Sequence, residues 1–281
     1  VSPGGDLTVL YRFALTGGPP DPRPPAPHLS IPHFALLTAA GVAAGLTGTV
    51  AGLASLFSCP ALLAAGLPPT TANVTNTVSL ALGNITVVPG SRRELSGQSS
   101  AVLRLGLVVV LGSAAGAALL LATPPGVFQR VVPFLVGGAS VAILVRRPAR
   151  DTPASGEPKP PESTTWLTVL GMFAVALYSG YFAAASGVVM LALLLATTSE
   201  SLLHSNALKN VLVGVADLVA AAGFVLFGTV SWLDALPLAL GLLLGSWLGP
   251  PLARCLPTAL LRVGIALAGL ALAVKLAVEA Y

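Results

Sequence analysis

Apolar residues fall along this chain in eight blocks, roughly 33–66, 70–90, 101–123, 126–146, 166–197, 203–228, 232–255 and 258–278. Most are close to the roughly 20 residues that an α-helix needs to cross the hydrocarbon of a bilayer. The runs are continuous and do not alternate, which argues against the strands of an outer-membrane barrel. The pattern predicts an all-α, polytopic membrane protein of about eight transmembrane units.

Two blocks do not fit a single crossing. The first has about 34 residues and the fifth about 32, each longer than one helix requires. Both hold small or helix-breaking residues near the middle: Gly45, Gly48, Gly52 and Pro60 in one, Gly180, Ser186 and Gly187 in the other. One reading is a long tilted helix; the other is a broken or re-entrant hairpin, which brings free backbone groups to mid-membrane depth. The recurrence of the feature favours a break in both blocks.

That recurrence belongs to a wider one. Shifting the sequence by 133 residues superposes Asn73 on Asn206, Val78 on Val211, Asn84 on Asp217, Gly112-Ser113 on Gly245-Ser246 and Pro124 on Pro257. Polar matches inside apolar helices are hard to obtain by chance, so the chain reads as an internal duplication. The expected organisation is a proline-rich tail over 1–32, a first membrane repeat over 33–146, a polar linker over 147–165 and a second membrane repeat over 166–281, four units in each repeat. Total loop charge does not orient the chain. Equivalent loops carry opposite bias, however. Arg92 and Arg93 follow block two while its copy has only Asp234, and the loop after block three has one Arg while its copy has Arg254 and Arg262. Such a bias is what inverted repeats produce.

Composition agrees. Only 9% of residues are charged, 14 basic and 10 acidic, and 55% are hydrophobic. A soluble surface cannot be built from this. The net charge of +4 calls for no nucleic-acid partner, and the cysteines, Cys59 and Cys255, make no disulfide framework. No phosphate-binding loop, HExxH or CxxC motif occurs, so ATP drive, a metal site and a cofactor are not expected, nor is an enzyme.

Candidate chemistry lies on two stripes. Asn206, Lys209, Asn210 and Asp217 fall within about 100° of a helical wheel, and Asn73, Asn76, Thr77 and Asn84 fill the same arc in the other half. Polar groups facing lipid are costly, so both stripes should face protein or water. Asparagines alone read equally well as bonds between packed helices. A lysine and an aspartate on one stripe favour a binding site. Lys209 reads either as an anion attractant or as a residue reaching for the headgroups. Asp217 and Asn84 are the coupling candidates, and Asp234 reads as interfacial. Ser55 and Ser186, at the breaks, are candidate ligands beside helix starts that favour an oxyanion. The glycines spaced by four, such as Gly41–Gly45 and Gly241–Gly245–Gly249, read as close helix packing.

The first break and the helix after it resemble a known family. A Gly-rich stretch from Gly45 to Gly52 is followed by Pro60-Ala-Leu-Leu63, Gly66-Leu-Pro-Pro69 and the asparagine-bearing segment Asn73 to Val78. With Ser91-Arg-Arg-Glu-Leu95, Tyr178 to Gly187 and Asn206-Ala-Leu-Lys-Asn-Val211, this is similar to the TauE/SafE sulfite exporter family, also called the TSUP transporters, over roughly 33–280. Many members carry Gly-x-Gly-Gly-Gly ahead of the proline; here the stretch is Gly52-Leu-Ala-Ser55, which makes Ser55 a substitute donor. The resemblance implies a multi-pass permease of a bacterial-type inner membrane. Its substrate would be a small anion such as sulfite, an organosulfonate or a carboxylate, moved by alternating access with a proton as a candidate coupling ion. The expected partners are that anion, membrane lipid and a second copy in a homodimer. The rival readings are a non-transporting membrane subunit and a passive anion channel.

Overall fold

The computed structural model describes residues 31–86, 99–145, 166–184, 186–197 and 202–252, with 270, 274, 277 and 278 besides. The expected tail up to residue 30, the linker, Ser91–Leu95 and most of the eighth block lie outside the described residues. Among the described residues all regular structure is helical. The helices are α1 (Ile31–Ala51), α2 (Ser55–Ala64), α3 (Pro69–Gly83, followed by a 3₁₀ turn Asn84–Thr86), α4 (Ser99–Ala122), α5 (Pro125–Val145), α6 (Trp166–Tyr181), α7 (Ser186–Thr197), α8 (Leu202–Phe227) and α9 (Trp232–Leu252).

Among the described residues, three stretches are long and apolar enough to cross a membrane: Ile31–Thr49, Val102–Ala122 and His204–Phe227. Helix α1 takes in Ile31 and Pro32, the end of the expected tail. Proline is tolerated there because the first-turn N–H groups have no intrahelical acceptor.

The two long blocks are each interrupted. Helix α1 stops at Gly52, whose φ of 72° lies in the left-handed region. Its N–H bonds Gly48 O at 2.9 Å, the five-to-one closure of a glycine-ended helix. The chain restarts as α2 three residues later. Pro60, read from sequence as part of the break, sits inside α2. That short helix ends in a Schellman motif: Gly66, φ 93°, bonds Leu63 O, and Leu67 N–H reaches Leu62 O at 3.2 Å. Pro69 then opens α3 at its first position. In the second long block, α6 ends at Tyr181 and α7 begins at Ser186.

Two helix pairs run in close contact, α1 with α9 and α4 with α6. Each joins a helix before the linker to one after it. The approach is so tight that a Cβ at Gly41 would stand 2.3 Å from Leu238 O, and one at Gly116 would stand 2.1 Å from Leu177 O. Only glycine permits backbones this near. Helix α3 lies deepest: Ala72 through Ala81 are all buried. It packs on α8, α9, α2 and α5. An apolar cluster of Leu53, Val74, Val78, Phe128, Phe182 and Phe224 fills the space beneath the breaks. The outward faces are leucine ridges, Leu103, Leu107 and Leu111 on α4 and Leu236, Leu240 and Leu244 on α9, all of them exposed. An exposed ridge of leucines suits lipid and not water.

Candidate functional site

The two breaks meet. A Cβ on Gly52 would fall 2.7 Å from the carbonyl carbon of Gly187, and one on Gly187 would fall 2.9 Å from the Cα of Gly52. The break segments are also joined by side chains, since Ser55 Oγ donates to Ala183 O at 2.8 Å and Ser186 Oγ donates to the same carbonyl at 3.1 Å. Helices α2 and α7 therefore begin beside one another. Their N-terminal ends carry the positive partial charge of aligned peptide dipoles.

A cavity of about 50 Å³ opens at this crossing. One water requires roughly 10–15 Å³ on the same measure, so a small polyatomic ion is in range. Its floor is the end of α1 (Gly45, Gly48, Thr49, Gly52) and the starts of α2 and α7 (Ser55, Ser186, Gly187). Helix α8 forms one wall through Lys209, Asn210, Val213 and Asp217, and Asn84, Leu80, Leu242 and Ser246 complete it. Positions 209, 213 and 217 share one face because residues four apart stack along a helix.

Lys209 is 1% exposed, and its ammonium stands 3.5 Å from Gly48 O, at the carboxyl end of α1. A cation is favoured there by the negative partial charge at the carboxyl end of a helix. The reading of Lys209 as a residue reaching for headgroups is thereby displaced: the side chain turns into the protein. Asp217, 2% exposed, lies two turns further along α8. Its Oδ2 accepts a 2.9 Å hydrogen bond from Asn84 Nδ2, and its Oδ1 is buried with no hydrogen-bond partner among the described residues.

Of the residues singled out in the sequence, Ser55, Ser186, Lys209, Asn210, Asn84 and Asp217 converge on the cavity. Asn73, Asn76, Thr77 and Asn206 do not line it. Asn73 Nδ2 donates to Tyr181 O at 2.9 Å, closing the end of α6, and Thr77 Oγ1 donates to Asn73 O within α3. Asn76 Oδ1 and Asn206 Oδ1 are buried with no partner among the described residues. Ser55, expected as a donor for a ligand, directs its hydroxyl to Ala183 O. Asp234 is 5% exposed where the sequence suggested an interfacial residue; it bonds His33 Nε2 at 2.6 Å and accepts from Ser231 Oγ. The ends of α1 and α9 enclose it.

Thr49, Gly83 and Ser246 line the cavity and were not singled out as ligands. The signal for Ser246 was present: it follows Gly245, as Ser113 follows Gly112, and Ser113 Oγ donates to Ala216 O at 2.6 Å. Among the described residues no group of three or more His, Cys, Asp or Glu side chains could hold a metal ion.

Comparison with known proteins gives the family. The pattern of the family described as "Sulfite exporter TauE/SafE" matches residues 37–276. A probable membrane transporter protein of Haemophilus influenzae is 25% identical over 224 residues, 79% of this chain and 85% of the relative. The probable membrane transporter protein ORF9 of a Sinorhizobium species is 24% identical over 86% of this chain and 92% of its own length. The probable membrane transporter protein YfcA of Escherichia coli K12 is 25% identical over 85% and 87%. No solved structure matches the chain significantly. The match runs from α1 across both breaks and through the helices that line the cavity, and the chain belongs to the sulfite exporter TauE/SafE family of membrane proteins.

Proposed function

We propose that the chain is a multi-pass secondary transporter of a small anion, working by alternating access from the cavity at the crossed breaks. The observation that carries this reading is the buried ammonium of Lys209 in that cavity, beside the starts of α2 and α7. A dehydrated anion needs a cation or several N–H donors, and a helix start adds favourable potential. Lys209 supplies the charge and Asn210 an amide. Asp217 opposes them when ionised, so an anion is held best when a proton also resides on Asp217. That couples the anion to a proton in the way the charge balance demands.

The duplication supports the alternating mechanism. Helix α1 contacts α9 as α6 contacts α4, and the leucine ridges of α4 and α9 recur at the 133-residue spacing that also separates Asn84 from Asp217. Two related halves, each with a broken first unit, rock against one another around a site shared between them. The family's description favours sulfite as cargo, and the relatives' names favour transport across a membrane; an organosulfonate or related carboxylate as further cargo and a bacterial inner membrane as the location complete the reading.

The test is flux of radiolabelled sulfite and organosulfonates into proteoliposomes holding the purified chain, with and without an imposed proton gradient. Accumulation of sulfite and of amine-free organosulfonates, driven by the gradient, is expected. Flux that never exceeds equilibration identifies a channel, and absence of flux for every anion identifies a non-transporting subunit.

A further inference from the structure

We propose that the cavity takes an anion that carries its own ammonium group, a short amino-substituted carboxylate or sulfonate. The inference rests on the transport reading above and narrows its substrate. The charged side chains lining the cavity are of opposite sign, Lys209 and Asp217, and both are almost fully buried. They lie eight positions apart on α8, about 12 Å between their Cα atoms by helical rise. An acceptor-only anion suits the lysine end and is repelled at the aspartate end.

The remaining polar atoms sharpen the asymmetry. Asp217 is half satisfied: Asn84 donates to Oδ2, while Oδ1 is buried with no partner among the described residues. A buried carboxylate oxygen needs a hydrogen donor. Two of the hydroxyls that line the cavity already have acceptors within their own segments. Ser186 Oγ directs its hydrogen to Ala183 O, and Thr49 Oγ1 directs its hydrogen back to Gly45 O and Leu46 O. What these oxygens turn toward the space is lone pairs, since a hydroxyl has a single hydrogen to give.

Lys209 thus brings a donor to the cavity and Asp217 Oδ1 an acceptor. A ligand with an anionic head and an ammonium tail pairs the first with Lys209 and the second with Asp217 Oδ1, and leaves no net charge uncompensated inside the protein. Its ammonium takes the place that a proton on Asp217 takes for a plain anion. The small volume, about 50 Å³, restricts the ligand to a short chain.

The experiment is calorimetric titration of the purified full chain in detergent with two matched pairs, β-alanine against propionate and taurine against ethanesulfonate. The amine-bearing member of at least one pair is expected to bind tighter by about tenfold or more, the scale of one charge-assisted hydrogen bond. Which pair shows the larger preference distinguishes carboxylate from sulfonate. Asp217→Asn is expected to erase the preference while keeping the plain anion bound, and Lys209→Met to weaken both members. A second measurement does not depend on a variant's folding: in wild-type proteoliposomes, taurine flux should be insensitive to an imposed proton gradient and ethanesulfonate flux should require it. Equal or tighter binding of the plain anions overturns the proposal and leaves anion transport standing. Absence of binding and flux for all four compounds and for sulfite overturns both.

Discussion

Asn84 donates a 2.9 Å hydrogen bond to Asp217, the residue 133 positions later that a constant shift of the sequence lays over it. The bond joins the end of α3 to the middle of α8 at the edge of the cavity. It places the coupling candidate where the two halves of the chain meet.

Removing the donor should be felt first as lost stability. Asn84→Ala leaves both oxygens of a buried carboxylate without a protein donor, a loss of about 1–3 kcal/mol. Thermal melting of the purified protein in detergent should fall accordingly. The double variant Asn84→Ala with Asp217→Asn should melt above the sum of its single changes, because the pair acts as one unit.

Lys209→Met keeps the length of the side chain and removes its charge. Anion binding and flux are expected to fall by tenfold or more, the order of one buried charge-assisted contact. Membrane insertion and the size-exclusion profile should be unchanged. Normal flux in this variant would return Lys209 to a packing role at the end of α1.

Asp217→Asn fixes the site without a titrating carboxylate. Flux of a plain anion should persist and lose its dependence on pH, read as initial rates across a pH series in proteoliposomes. A wild-type pH profile in the variant would move the coupling away from Asp217.

The crossed breaks should tolerate no side chain. Gly52→Ala puts a Cβ on a residue with φ 72° and drives it to 2.7 Å from the backbone of Gly187. The left-handed conformation alone costs about 1–2 kcal/mol, and the clash is with backbone that cannot swing aside. Gly66→Ala is the control: φ is 93°, but nothing lies within 4 Å of the added atom. Gly52→Ala should therefore lower the melting temperature more than Gly66→Ala and abolish flux, while Gly66→Ala transports.

Much of this molecule was legible in its residues. Continuous apolar blocks specify helices because the backbone must satisfy its own hydrogen bonds where water is absent. The excess length and central glycines of the first and fifth blocks announced the interruptions now located after Ala51 and Tyr181. Helical periodicity alone set Lys209 and Asp217 on one face of α8, and the repeated spacing singled out Asn84 as the counterpart of Asp217.

What periodicity could not supply was which way each stripe faces. Asn73 and Asn206 are equivalent along the sequence, as are Asn76 and Lys209, yet only Lys209 among them reaches the cavity. A helical wheel gives angles about one axis, while facing is decided by the neighbours that surround that axis. For α3 those neighbours bury every side of the segment from Ala72 to Ala81, and Asn73 and Thr77 turn to backbone carbonyls. The same holds for Ser55, whose sequence context suggests a ligand donor and whose hydroxyl is taken by Ala183 O from the other half of the chain. Asp234 at the start of α9 shows the same dependence: its apolar surroundings give no sign that His33, 201 residues earlier, bonds it. Local pattern determined the helices, their breaks and the polar faces; contacts between residues more than a hundred positions apart, such as Ser55 with Ala183 and Asn73 with Tyr181, decided which way those faces turn.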